Sequence, residues 1–353
     1  MPPSGLLAKI LLTIAGAVDD AIGWPFTEPS SGMYRRFNGV GRKWVARHAL
    51  RLLATSNTRS TASILGTGPA VSLTSHGSRI ATAFATVESI GLGSVRPRRI
   101  VLWLDSEKDV TELDERLRRL VARGLEVRLT DNLGPHTKYY PYVDQLWDGS
   151  SPLVTADDDI LYPTNWLSRL VRAQRDYPDM VNCHRGWTVG VGEDGELLPY
   201  SSWAACSTSR PGSRTFATGV SGVIYPPGML RMLRDRQLEF TTKCLRADDV
   251  WLHYVAVDND VPIRQIRPRG RHFPVVVSAQ AVKLQQDNIA GGNDRQIQAT
   301  YSAAALSRLG VRPPAIGALS VPQPVATFNT VDTTAGHGAD TAAAADRQEA
   351  QAS

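Results

Sequence analysis

Between Ala70 and Gln174 the chain switches repeatedly between two hydrophobic rhythms, and this switching limits the folds open to it. "AVSLTS" is a short apolar run that ends in small polar residues. "RIATAFATVESI" follows, with Ile80, Phe84, Val87 and Ile90 at helical spacing. "RIVLWL" is a second buried-strand run. "DVTELDERLRRLVARG" reads as one amphipathic helix, with Leu113, Leu117, Leu120 and Val121 on one face and Gly124 as its C-cap. "LEVRLT" and "PLVTA" give the third and fourth strands, and "PTNWLSRLVRAQ" opens a helix with Pro163 near its first turn. Strands alternating with helices predict a mostly parallel sheet flanked by helices on both faces. In such sheets ligands bind outside the carboxyl ends of the strands.

The fourth strand ends in "VTADDDILYP", where Asp157, Asp158 and Asp159 stand side by side. Adjacent carboxylates repel, so a cation has reason to sit among them. Oxygen ligands at a strand end suit Mg²⁺ or Mn²⁺, whose remaining positions go to substrate phosphates and water. Such a metal neutralises charge on a departing diphosphate. The alternative is a solvated loop in which one aspartate caps the next helix. A second acidic pair, Asp248 and Asp249, lies in "RADDVWLHYVA". On a helix, neighbours point about 100° apart, so the two can take different roles. By themselves they also fit helix-start aspartates facing the dipole.

Bulk properties exclude some classes. The chain has 353 residues and a net charge of +5, with no strong nucleic-acid signature. Its three cysteines, Cys183, Cys206 and Cys244, have no CxxC spacing, which excludes a zinc ribbon and fits a reducing compartment. No apolar run is long enough to span a membrane. "GLLAKILLTIAGAV" admits three readings: a signal-peptide core, a membrane-surface segment, or a helix packed on the domain. No acid appears between Glu28 and Glu88, while Arg35, Arg36, Arg42, Lys43, Arg47 and Arg51 do. That stretch suits a basic helix on anionic lipid, or a solvated face docked on the domain. The expected organisation is a basic, partly helical N-terminal appendage over 1–66, an α/β domain over 67–312, and a disordered Pro/Ala/Thr/Gly-rich tail over 313–353.

Taken in order, "AVSLTSHGSRI", "IVLWLD", "GPHTKYYP", "VTADDDILYPTNWL", "TGVSGVIYPP" and "ADDVWL" resemble nucleotide-sugar-dependent glycosyltransferases of the GT-A fold, in particular bacterial family-two-like enzymes. The resemblance covers about residues 70 to 270. It implies a GT-A sheet and inverting transfer of one sugar from a nucleotide-sugar to a glycan or lipid-linked acceptor. Asp157 and Asp159 match the DxD carboxylates that contact metal and donor, with Asp158 between them on either duty. Asp249 matches the general base, and Asp248 stands where Glu is more usual, so the base is one of these two. Thr74, Ser75, Arg79, Asp105 and Lys138 match donor-side positions, Lys138 within reach of the diphosphate. His272 is in order to serve as a late metal ligand, although a lone histidine is more often structural. Gly219, Ser221 and Gly222 are expected to line the acceptor side, with Trp251 and Trp187 as sugar platforms or as core. The processive Gln-x-x-Arg-Trp motif is missing, which points to a single transfer. The expected location is cytoplasmic, with peripheral contact on anionic membrane. Two rivals remain: a nucleotidyltransferase, which would want a richer Gly/Lys/Arg loop than "TSHGSRI", and a non-catalytic carbohydrate-binding homologue.

Overall fold

A central seven-stranded sheet runs in the order β10-β5-β9-β4-β1-β2-β3. The strands are β1 Ala70–Thr74, β2 Ile100–Leu104, β3 Leu125–Leu129, β4 Leu153–Thr155, β5 Val181–Cys183, β9 Val223–Tyr225 and β10 Ile263–Gln265. The computed structural model describes residues 3–22, 32–276 and 292–312. β1 pairs in parallel with both β2 and β4, β2 with β3, and β5 with β10; β9 alone runs antiparallel to its neighbours β4 and β5. This is the expected mostly parallel sheet. Beyond β5 the chain adds a small antiparallel sheet of β6 Gly186–Thr188, β7 Ala204–Ala205 and β8 Thr215–Ala217.

Ten helices carry labels here: α1 Pro3–Ile22, α2 Gly32–Arg59, α3 Ile80–Gly91, α4 Glu107–Thr111, α5 Glu115–Val121, α6 Tyr140–Gln145, α7 Trp166–Asp176, α8 Pro227–Asp235, α9 Phe240–Lys243 and α10 Asp248–Asp258. α3 buries Ile80, Phe84, Val87 and Ile90, as its spacing predicts. The single helix expected over "DVTELDERLRRLVARG" divides into α4 and α5. Ser106 caps α4 by accepting the Asp109 N–H, and Asp114 starts a new helix by accepting the Arg116 N–H. The Asp114 cap, inside the amphipathic stretch, outweighs its continuous periodicity. Leu117 and Leu120 are buried, but Val121 is exposed.

Strand side chains alternate between two cores, one on each face of the sheet. Val101 and Trp103 join a cluster with Tyr139, Trp251 and Phe240. Ile100, Leu102 and Leu104 join one with Phe84, Leu120 and Leu167. The second cluster also contains Ala8 and Leu12 of α1 and Ala46, Ala49 and Leu53 of α2. The segment read as an appendage is therefore a packed layer of the domain. Small residues permit the close fit: a Cβ on Gly16 would lie 2.8 Å from the Pro163 side chain. No described helix is long and apolar enough to cross a membrane. The expected disordered tail, 313–353, lies outside the described residues.

Candidate active site

The acidic triplet sits where β4 ends, beside the end of β1. Its carboxylates divide between two cations, Arg79 beside Asp158 and Asp159 and Lys138 beside Asp157. Asp158 is buried and accepts from the Ser75 hydroxyl at 2.5 Å and from Arg79 Nε at 3.1 Å. Arg79 also pairs with Asp159 at 3.2 Å. The Thr86 hydroxyl donates to the main-chain oxygens of Asp158 and Ile160. Ser75 and Arg79, expected on the donor side, thus both contact the triplet, and Asp158 takes bonds from each. Thr74 donates its hydroxyl to the Trp103 main chain at 3.1 Å. The Asp157 N–H donates to the Tyr162 hydroxyl at 3.0 Å, and the Tyr162 ring stacks on Trp166.

Lys138 joins the two acidic clusters. It lies on the short 3₁₀ segment Gly134–Lys138, just before α6. Its Nζ is 2.7 Å from Asp157 Oδ1 and 3.3 Å from Asp248 Oδ2, with only 12% of the side chain exposed. These carboxylates hold the ammonium charged, its pKa raised despite burial. Asp248 and Asp249 occupy the first turn of α10. The Gly219 N–H donates to Asp249 Oδ1 at 2.9 Å. A Cβ at Gly219 would lie 3.2 Å from both Asp249 Oδ1 and Lys138 Nζ, so glycine is what lets this loop approach the pair. Burial, then repulsion from Asp248, pushes the Asp249 carboxyl up to about 8. Burial likewise raises Asp248, although Lys138 opposes the shift.

The other expected residues scatter around this centre. Asp105, just after β2, accepts from the Asn132 amide at 2.7 Å. Ser221 turns away, its hydroxyl donating to the Arg271 main chain at 2.6 Å. Gly222 has φ +92, and a Cβ there would lie 2.5 Å from Trp166 Nε1. Of the three acceptor-side residues, only Gly219 borders the acids. Trp251 is fully buried against Phe240 and Tyr254, so it has no face open to a sugar. Trp187 carries Arg185 over its ring, 4.9 Å from the centroid. His272 lines a small cavity against Leu12, Gly16 and Val45. Main-chain pairing explains that position. Leu161 N–H donates to Pro274 O and Val276 N–H to Asp159 O, so the two segments run antiparallel and His272 falls beyond Leu161, away from the strand end. Among the described residues, no three His, Cys, Asp or Glu side chains gather as a metal cluster.

A divalent cation nevertheless fits the carboxylates present. Asp157 keeps 21% of its side chain exposed and one oxygen clear of Lys138. Burial and then repulsion from Asp157 push the Asp159 carboxyl up to about 7, while Arg79 opposes the shift. Two carboxylates with the rest supplied by donor phosphate and water is ordinary for Mg²⁺. Sequence reading assigned no role to Asn132 or Tyr162. Tyr162 stands inside the quoted motif, but its partner is a main-chain N–H, which no side-chain pattern reveals. Asn132 precedes the turn before Lys138 and carries no such mark.

No protein-family model and no curated protein matches the chain. Among solved structures, it is similar to 4-diphosphocytidyl-2C-methyl-D-erythritol synthase from Anaerococcus prevotii, with 10% identity and a TM-score of 0.39 over 64% of this chain and 98% of that one. It is similar to the inositol-1-phosphate CTP transferase of T. maritima, with 12% identity and a TM-score of 0.37 over 65% of this chain and 98% of that one. It is also similar to GalNAc-T7 with UDP, GalNAc and Mn²⁺, with 14% identity and a TM-score of 0.37 over 65% of this chain and 50% of that one. The functional reading rests on the site residues alone.

Proposed function

We propose that the protein is a glycosyltransferase that moves one sugar from a nucleotide-sugar donor to a hydroxyl of a glycan or lipid-linked acceptor, with inversion. The observation that carries this reading is Asp249. It is a part-buried carboxylate oriented by the Gly219 N–H, in the same acidic centre as Lys138 and Asp157 at the ends of parallel strands. Its raised pKa suits proton abstraction near neutral pH, where a base works best when its pKa lies close to the operating pH.

In the reaction, the acceptor O–H gives its proton to Asp249 and its oxygen bonds to the anomeric carbon. The bond from that carbon to the diphosphate oxygen breaks, and its electron pair leaves with the nucleoside diphosphate. Lys138 supplies fixed positive charge beside the departing group. Asp248 keeps the Lys138 ammonium directed at the centre. Asp157 and Asp159 would hold Mn²⁺ or Mg²⁺, which when bound supplies charge neutralisation for the diphosphate.

Asp249→Asn should lower turnover by about 10²- to 10⁴-fold while leaving donor affinity intact. The measurement is donor turnover beside nucleotide-diphosphate binding by calorimetry. Near-normal turnover removes Asp249 from the role of base. Pyrophosphate release from a nucleoside triphosphate and a sugar phosphate, with no turnover of any nucleotide-sugar, would make the chain a nucleotidyltransferase instead.

A further inference from the structure

α1 is apolar on both sides. One side, Ser4, Ala8, Leu12 and Gly16, is buried on the domain. The opposite side holds Leu6, Leu7, Ile10 and Ile14, which are 52%, 53%, 46% and 55% exposed. Pro3, Thr13 and Ala17 complete that outer face, and none of its residues is charged. Lys9 is the one charged residue from Pro3 to Ala17, before Asp19 and Asp20, and a helix stretch so largely apolar is ordinarily covered on both sides. A contiguous apolar face of this kind marks an interaction surface.

The elements packed against α1 carry bases. α2 contains no acidic residue along its length. Lys43, Trp44, Arg47 and Arg51 of α2 are exposed, with Trp44 at 56% and stacked on His48 at 4.1 Å. At the other end, Thr13 of α1 meets Thr164 at 2.9 Å, just before α7. The following turns of α7 carry Arg169 and Arg172, which with Arg264 and Arg267 line an open groove of about 430 Å³. Its one acid, Asp176, pairs with Arg175 at 3.1 Å.

We propose that the outer face of α1 docks in the plane of an anionic phospholipid membrane, with the α2 bases and the α7 arginine groove taking the lipid phosphates. The charge pattern selects this occupant. Apolar side chains rimmed by cations match acyl chains beneath anionic headgroups, and an exposed tryptophan suits the boundary between them. A second copy of the chain would bring basic rim against basic rim. No described helix can cross the membrane, so the contact lies on its surface. This surface does not depend on the reaction at Asp249 and is tested without turnover.

The experiment is flotation of the full chain with vesicles of phosphatidylcholine alone and of phosphatidylcholine with phosphatidylglycerol, at low and high salt. The wild type should float with the anionic vesicles at low salt, and less so at high salt. Ile10→Asp with Ile14→Asp should weaken this binding by roughly tenfold or more at an unchanged melting temperature. Arg172→Glu with Arg267→Glu, on the already exposed groove, should weaken it and flatten its salt dependence even if the helix variant folds poorly. Failure of the wild type to float with anionic vesicles overturns the proposal. So does undiminished binding by both folded variants. A wild-type dimer that does not float, and that Ile10→Asp converts to a monomer, would make the face a contact between copies.

Discussion

Replacing Lys138 with methionine probes the centre most directly, because one ammonium serves both acidic clusters. At 2.7 Å from Asp157 and 3.3 Å from Asp248, its attractions are about 6 and 5 kcal/mol for an effective dielectric near 20. Desolvating the ammonium offsets most of that gain, yet removing it strands buried carboxylates. The expected net loss at pH 8 is about 3–5 kcal/mol. The dependence on pH has a definite sign. Burial and mutual repulsion already raise Asp249 and Asp159 to about 8 and about 7. The folded chain therefore keeps protons that the unfolded chain releases near pH 4, and these groups destabilise the fold as pH rises from roughly 4 to 8. Lys138 lowers the pKa of Asp248 and Asp249, so without it that decline steepens. The destabilisation should then be smaller at pH 5 than at pH 8. Denaturant unfolding of wild type and Lys138→Met at both pH values is the assay. A loss below about 1 kcal/mol, equal at both, would refute the idea that Lys138 compensates a coupled acidic centre.

Turnover should fall as pH drops below about 8, approaching about tenfold per unit well below that value, because Asp249 must be unprotonated to act as base. A pH–rate profile that is flat between 6 and 9 would contradict this. Mn²⁺ should raise the melting temperature more at pH 8 than at pH 6, since Asp159 titrates near 7 and must shed its proton to bind. Asp159→Ala should abolish the shift, and a shift that survives places the cation elsewhere. Gly222→Ala should cost about 2–4 kcal/mol, because a Cβ at φ +92 meets the Trp166 indole at 2.5 Å. A denaturation midpoint within error of wild type would show that the loop has room to move.

Strand and helix order was legible wherever periodicity was carried by many residues, as in α3 and in "RIVLWL". The division between α4 and α5 was not, because the local cap at Asp114 decides it. The acidic triplet was legible as a cluster at a strand end. Its internal division of labour was hidden. Ser75 and Arg79 are 83 and 79 residues from Asp158 in sequence, and only the fold reveals that they engage it. Trp251 and His272 were read from motif order, yet packing around α10 and the antiparallel run beside Leu161 determine where they point. The N-terminal helices look separable in composition, since bases and small apolar residues set them apart. Their packing on the sheet depends on alanines and a glycine, residues too plain to announce an interface.

Asn57, near the end of α2, donates its amide to Glu88 at 2.9 Å and to the Arg116 main chain at 3.1 Å. Glu88 is buried and also bound by Arg123. Someone shortening the chain at residue 67, where composition changes, would cut away this amide and uncover the cluster beneath Ala49 and Leu53. The fragment would carry every residue assigned to catalysis and still be a poor protein, sticky on one face of its sheet. For expression, crystallisation or directed evolution, the working unit begins at α1.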